Sequence, residues 1–310
     1  MTARRPLALV GPTASGKTEA SIPLAVALGA EIVSFDPSLA YRGMDIWTGK
    51  PTASQRAAVP HHLVDITDPG APIGVKAFQR LATEAAGDIA RRGHRALLVG
   101  ASGLYFRAVV DGLEFPGTDP GTRRLLEAEA AAVGAEPLHR RLAAFDPRAA
   151  ARIEPANARR TVRALEVAAV TGRPFSGFAA DWDTFRPEAA RVAGVEIDRV
   201  ALRRRIEGRA RERFDGLVAE TVRLLDAGHG SFLRSGHLIG YAEAADVLDG
   251  TLGRDEAAAR IAKRDRALAR RQLAWFRRDP RVRWFVAGDG GALEVLDEVL
   301  RYLRDDEGNG

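Results

Sequence analysis

Gly11-Pro12-Thr13-Ala14-Ser15-Gly16-Lys17-Thr18 stands between an apolar run over 6–10 and a helix-favouring stretch over 17–28. It fits the pattern G-x-x-x-x-G-K-[ST], and a strand before it with a helix after it is the context that separates a phosphate cradle from a chance turn. The glycines let consecutive backbone N–H groups converge on phosphate oxygens, and the helix N-terminus adds positive potential. Lys17 brings a point charge, and the Thr18 hydroxyl can hold a Mg2+ ion. All of 11–18 is therefore expected to bind a pyrophosphate group, with Thr18 as the metal ligand. Pro23 falls inside the helix that follows, where a kink is expected.

Moving outward, a second strand is predicted over 31–35 and ends in Asp36, and a third over 95–99 ends in the turn Gly100-Ala101-Ser102-Gly103. Strands alternating with helices predict an α/β fold with a parallel sheet. In such a sheet Asp36 lies on the ligand edge with the P-loop, where it can serve as a general base. A strand-end Asp can equally cap the next turn, and the residues alone leave both roles open. A P-loop nucleoside triphosphatase usually places an acid at a second strand end to organise Mg2+. Here the strand over 95–99 ends in Gly100, so that reading lacks its second acid.

After Phe115-Pro116-Gly117-Thr118-Asp119-Pro120-Gly121 the texture turns to Ala/Glu/Arg-rich helices, predicted over 122–133, 137–144 and 157–171. A strand over 191–197 then leads to long helices over 201–227 and 255–277. The expected organisation is a P-loop core over 1–120, a helical insertion over 121–190 and the remainder of the core, with basic helices, over 191–310. Gly308-Asn309-Gly310 reads as a frayed tail. No period of 20 to 50 residues repeats, which argues against a solenoid.

The chain has 310 residues, 46% of them hydrophobic, enough to bury a large core, and no cysteine, which excludes disulfides and thiolate metal sites. It shows no secretion signal and no run of about 18 apolar residues, so a cytoplasmic, membrane-free protein is expected. The formal charge is only +5, but between Arg254 and Trp284 eleven Lys or Arg face four acids, a local +7. That excess suits a polyanionic partner, although a solvated helix face would carry it as well. Arg270-Arg271-Gln272-Leu273-Ala274-Trp275-Phe276-Arg277-Arg278 interleaves basic and aromatic groups, with the aromatics favoured as core. His61-His62 lacks a third ligand at metal spacing, so a zinc site is not expected.

Taken in order, these segments resemble the tRNA dimethylallyltransferases, over almost the whole chain. The resemblance is carried by the 11–18 loop, Asp36 with Tyr41-Arg42-Gly43-Met44-Asp45-Ile46, Pro60-His61-His62, Gly103-Leu104-Tyr105, Arg159-Arg160, Arg163-Ala164-Leu165-Glu166-Val167, Ile239-Gly240-Tyr241, and Arg271-Gln272 with Trp275. It implies that the P-loop holds dimethylallyl diphosphate, in agreement with the missing second acid, and that the acceptor is the adenosine beside the anticodon of a tRNA. By the same resemblance Asp36, Ser102, Arg205 and Arg209 are catalytic, and the molecule is monomeric. The implied tRNA contacts are Asp36, Pro37, Ser38, Leu39, Ser102, Arg123, Arg159, Arg160, Arg163, Gly240, Tyr241, Arg270, Arg271, Gln272, Trp275 and Arg277. The sequence departs from the family pattern at Pro37 (usually Ser), Trp47 and Gly49 (in a usual Gly-Thr-Ala-Lys run), Ala101 (Gly), Ser102 (Thr) and Asp265 (Thr), and Leu39 stands where many members have Gln. Two other readings stay compatible with the residues: a P-loop kinase of a small metabolite, and a tRNA-binding paralogue impaired by Pro37.

Overall fold

The computed structural model describes residues 5–71 and 73–304, so the tail 308–310 lies outside the described residues. Six strands, β1 (Leu7–Val10), β2 (Ala30–Ser34), β3 (His61–His62), β4 (Arg95–Gly100), β5 (Arg191–Ile197) and β6 (Val282–Ala287), form one sheet in the order β3-β2-β4-β1-β5-β6. Every pairing in it is parallel. The apolar run of β1 is buried on both faces, as a central parallel strand must be. Strand alternation sends Leu7 and Leu9 into one core with Ile32, Leu97 and Val195, and Ala8 and Val10 into the other with Val33, Leu98 and Val192.

The predicted α/β class is therefore found, and the helix Lys17–Leu28 runs on through Pro23. Two strands had no prediction. β3 has only two residues, and β6 lies at the sheet edge, where Arg283 interrupts the apolar run and Val286 is 70% exposed, although Phe285 and Ala287 enter one core and Val282 and Trp284 pack on the other. The single helix predicted over 201–227 is two, Arg199–Glu212 and Phe214–Asp226, separated at Arg213.

The chain divides into two compact units, 1–112 with 186–310, and 113–185. The helical unit thus starts earlier and ends earlier than 121–190. Its helices Pro120–Val133 and Ala158–Thr171 are capped by Asp119, which accepts from Thr122 N–H at 2.6 Å, and by Asn157, which accepts from Arg160 N–H at 3.2 Å. Leu138, Leu142, Val162 and Leu165 give this unit a core of its own. Glu166, fully buried, accepts from Asp119 N–H, Arg123 and Arg163 at 2.7–3.1 Å, so three donors compensate its desolvation.

Candidate active site

Three adjacent strands deliver the expected chemistry to one edge of the sheet. The P-loop follows β1, Asp36 follows β2 and Ser102 follows β4, and the sheet order sets β2, β4 and β1 side by side. Their C-terminal ends form the crevice in which open α/β sheets bind ligands.

The loop is built tightly. A Cβ on Gly11 would lie 2.6 Å from Val195 O, and Gly16 takes φ +84° to turn the chain into its helix. Lys17 Nζ donates to Pro12 O at 2.6 Å and to Ser15 Oγ at 3.1 Å, so the ammonium is held under the loop. Burial pushes its pKa down to about 7, against the pull of the Asp36 carboxylate and reinforced by the Arg209 guanidinium. The Thr18 side chain has no hydrogen bond within the described residues, leaving its hydroxyl available to a ligand. The Thr13 N–H donates to Gln272 Oε1 at 2.8 Å, which ties the loop to the basic helix Arg254–Phe276.

Asp36 takes the capping role and leaves one carboxylate oxygen uncommitted. Its Oδ1 caps the turn Pro37–Ala40, accepting from Ser38 N–H at 3.0 Å and Ser38 Oγ at 2.7 Å. Its Oδ2 has no partner among the described residues. Pro37 occupies the first position of that turn, where a missing N–H costs least, and Ser38 supplies the hydroxyl that Pro37 lacks. Phe35 anchors the strand end by packing on Phe106 and Phe276 at ring separations of 5.4 and 6.5 Å. That ring leaves no room beside β4, since a Cβ on Gly100 would fall 2.7 Å from it. Ser102 begins the helix Gly103–Asp111 without a side-chain cap bond, so its hydroxyl is uncommitted. A Cβ on Gly103 would meet Trp275 at 2.8 Å, which brings the basic helix against this turn.

The two arginines expected at the leaving group differ in their surroundings. Arg205 clasps the loop backbone, its Nε donating to Ala14 O at 2.8 Å and its Nη1 to Asp289 O at 2.5 Å. Arg209 lies inward of it, donates to Trp47 O, sits 5.2 Å from the Trp47 ring centre and has a buried Nε with no acceptor. Beside the loop opens a cavity of about 410 Å³ whose walls include Thr13, Trp47, Arg209, Asp265 and Arg271. Asp265 is 3% exposed, and burial raises its pKa to about 6, against the pull of Arg209 and Arg264.

The structure separates the residues expected at the tRNA surface. Arg159, Arg160, Arg270 and Arg271 are exposed, and no carboxylate pairs with them among the described residues. Trp275 is 39% exposed while Phe276 is core. Arg123 and Arg163 are engaged by Glu166, and Arg277 by Glu196. Tyr241 is fully buried and donates to Glu220 Oε1 at 2.6 Å, so it is part of the core and no surface contact. Gly240 takes φ +100°, and a Cβ there would lie 3.2 Å from the Trp47 ring.

Sequence reading missed Glu220 and Lys50, which hold the loop leading to Trp47. The other carboxylate oxygen of Glu220 accepts from Asp45 and Ile46 N–H at 2.8 and 2.9 Å, and Lys50 Nζ bonds Tyr41 O, Asp45 and Asp65. The unusual Tyr41–Lys50 composition was the only signal. Its partner Glu220 is far away in sequence.

Residues 39–279 match the family model described as IPP transferase, and residues 5–61 match isopentenyl transferase. The tRNA dimethylallyltransferase of Salinispora tropica is 46% identical over 96% of this chain and 92% of its own. That of Kineococcus radiotolerans is 45% identical over 96% of both chains. Among solved structures, the full-length tRNA isopentenylpyrophosphate transferase of Bacillus halodurans superposes with a TM-score of 0.69 at 37% identity, over 98% of both chains. A eukaryotic dimethylallyltransferase shares the fold with a TM-score of 0.71 at 19% identity, over 94% of this chain and 75% of its own.

Proposed function

The chain belongs to the IPP transferase family, and from that premise we propose that it transfers a dimethylallyl group from dimethylallyl diphosphate to N6 of the adenosine 3′-adjacent to the anticodon in tRNA, releasing pyrophosphate. The observation that carries this reading is the meeting of an anion-binding loop, a half-free carboxylate and a free hydroxyl at three neighbouring strand ends. A small-metabolite kinase is disfavoured by relatives named as tRNA dimethylallyltransferases across nearly the full chain. The same matches disfavour the impaired paralogue.

In this mechanism the loop N–H groups and Lys17 bind the diphosphate, and Arg209 adds the second positive charge. The target adenine leaves its stack, as bases do in enzymes that modify them. Its N6 attacks the C1 carbon of the prenyl group, the C1–O bond breaks with its electron pair going to the diphosphate, and the Asp36 Oδ2 receives the amine proton. Ser38 keeps the carboxylate in orientation through Oδ1. Ser102 offers its hydroxyl to the diphosphate, and Arg205 acts by fixing the loop backbone. Fixed positive charge is effective here because it meets the negative charge that grows on the leaving group.

The residues present fit one Mg2+ ion. The uncommitted Thr18 hydroxyl at the first helical turn would hold it, and no cluster of three acidic or histidine ligands exists among the described residues to bind it independently of the donor. Bound on the diphosphate, the ion would neutralise leaving-group charge. The exposed arginines of both units supply phosphate contacts for tRNA.

Incubation with tRNA, Mg2+ and labelled dimethylallyl diphosphate, followed by mass analysis of the nucleosides, tests the reading. Prenylated adenosine is expected. ATP turnover without tRNA, and no labelled nucleoside, would assign the site to a kinase.

A further inference from the structure

We propose that the turn Gly288–Ala292, which follows β6, is the rear wall of the phosphate loop and holds two of its peptide units with their N–H groups aimed at the diphosphate. The inference rests on the diphosphate-binding part of the reading above and deepens it. β5 separates β6 from β1 in the sheet, so the turn after β6 crosses β5 to reach the loop after β1. There the Ala292 N–H donates to Ser15 O at 2.8 Å. The Asp289 carbonyl accepts from Arg205 Nη1, and the same guanidinium donates through Nε to Ala14 O at 2.8 Å. The carbonyls of two successive loop residues are thus occupied from behind.

A trans peptide bond is planar and sets its N–H opposite its C=O. With Ala14 O and Ser15 O bonded on the side of the turn, the Ser15 and Gly16 N–H groups face away from it. The Ser15 N–H makes one long bond, 3.3 Å, to Pro12 O, and the Gly16 N–H donates to nothing among the described residues. The loop would not keep this shape unaided. Ala14 stands at φ +63°, which is unfavourable for a residue with a Cβ, and Gly16 at φ +84° leaves the peptide before it free to flip. Gly291 is what lets the turn come so close: its φ is +69°, and a Cβ on it would lie 2.8 Å from Ser15 O and 2.9 Å from Arg205 Nη2. The turn is fixed in its own right by Glu294, which accepts from Gly288 and Gly290 N–H, and by Arg204, which bonds the Asp289 carboxylate. Amides oriented in advance spare an anion the cost of ordering them, so the turn acts on affinity.

Calorimetry of the full-length protein with inorganic pyrophosphate and Mg2+ tests this. Gly291→Ala, which pushes the turn off the loop, should weaken pyrophosphate binding about 5- to 30-fold, the cost of ordering one freed backbone unit. Glu294→Ala, which loosens the turn without adding an atom beside the loop, should weaken it in the same direction by less. Gly250→Ala is the control: it brings the same left-handed strain, at φ +72° with nothing within 4 Å, and should leave pyrophosphate affinity unchanged. Hydrogen exchange should accelerate across 11–18 in the first two variants and not in the third, while tRNA affinity stays constant in all three. Affinity within twofold of the wild type in both Gly291→Ala and Glu294→Ala overturns the proposal, and so does an equal loss in Gly250→Ala. If the wild type binds no pyrophosphate, the diphosphate reading fails at the loop itself. Exchange across 11–18 then decides the role of the turn separately, and unchanged rates in Gly291→Ala and Glu294→Ala overturn it.

Discussion

Asp36 and Lys17 show how single groups are tuned before any substrate arrives. Because Ser38 occupies Oδ1, only Oδ2 can take a proton, and Asp36→Asn keeps the acceptor facing Ser38 while removing the base. A positioned base contributes about 10²- to 10⁴-fold. Single-turnover prenyl transfer should drop within that range while tRNA and donor-analogue dissociation constants stay nearly constant, and a wild-type rate would remove Asp36 from catalysis. Lys17 makes a different prediction. With its free-state pKa near 7, much of the population is neutral at pH 8, and a bound diphosphate favours the protonated form. Binding of a non-reactive donor analogue at pH 8 should therefore take up a proton, and from this group affinity should weaken as pH rises above about 7. Calorimetry in buffers of different ionisation enthalpy measures that uptake, and Lys17→Arg should abolish it. Equal uptake in the variant would locate the proton elsewhere.

At the scale of elements, the basic helix Arg254–Phe276 and its extension do not spend their charge uniformly. Arg254, Arg260, Arg264, Arg266 and Arg277 are each paired with an acid, whereas Lys263, Arg270, Arg271 and Arg278 have no carboxylate partner among the described residues. Only the second set has its charge free for phosphate. Arg270→Ala should lower the slope of log K against log salt for tRNA by about one, and Arg277→Ala should change it little. Equal slopes in both variants would reduce the helix to solvated surface. Apart from the local pair Arg260–Glu256, this partition was illegible in the sequence, because the partners Glu196, Glu207, Asp215 and Glu243 lie tens of residues away and only folding brings them close. The P-loop was legible for the opposite reason: all of its chemistry is local and its spacing is fixed. Asp36 and Ser102 were readable as strand ends, since β2 and β4 are buried apolar runs. The burial of Tyr241, which the resemblance implies as a tRNA contact, could not be read, because nothing nearby announces that Glu220 will accept a hydrogen bond from its hydroxyl. β6 escaped notice because the arginines at 281 and 283 precede and interrupt its short apolar run, whose residues alternate between the two cores.

For the whole molecule, the helical unit 113–185 is one continuous insertion into the chain of the P-loop core. Within the core unit Arg281 is buried and bonds Asp111 at 2.7 and 3.0 Å, Asp279 at 2.6 and 2.8 Å, and the Arg186 carbonyl at 3.3 Å. Core residues just before position 113 and just after position 185 thus meet at one guanidinium, so the unit between them leaves and re-enters the core at one place. Its core, built on Leu138, Leu142, Val162 and Leu165, is a cluster distinct from the two that cover the sheet. Closing a short loop in its place costs little entropy. A protein with 113–185 replaced by a short Gly/Ser bridge should therefore unfold cooperatively and bind the donor analogue within about threefold of the intact chain, as expected of an independently packed core. tRNA binding should weaken, because Arg159 and Arg160 stand exposed and unpaired on the excised unit. Loss of those two phosphate contacts should lower the salt slope by about two, and the full-length double variant Arg159→Ala with Arg160→Ala should reproduce that decrease. If tRNA affinity and slope are unchanged in both proteins, the helical unit serves no part of tRNA binding through these arginines.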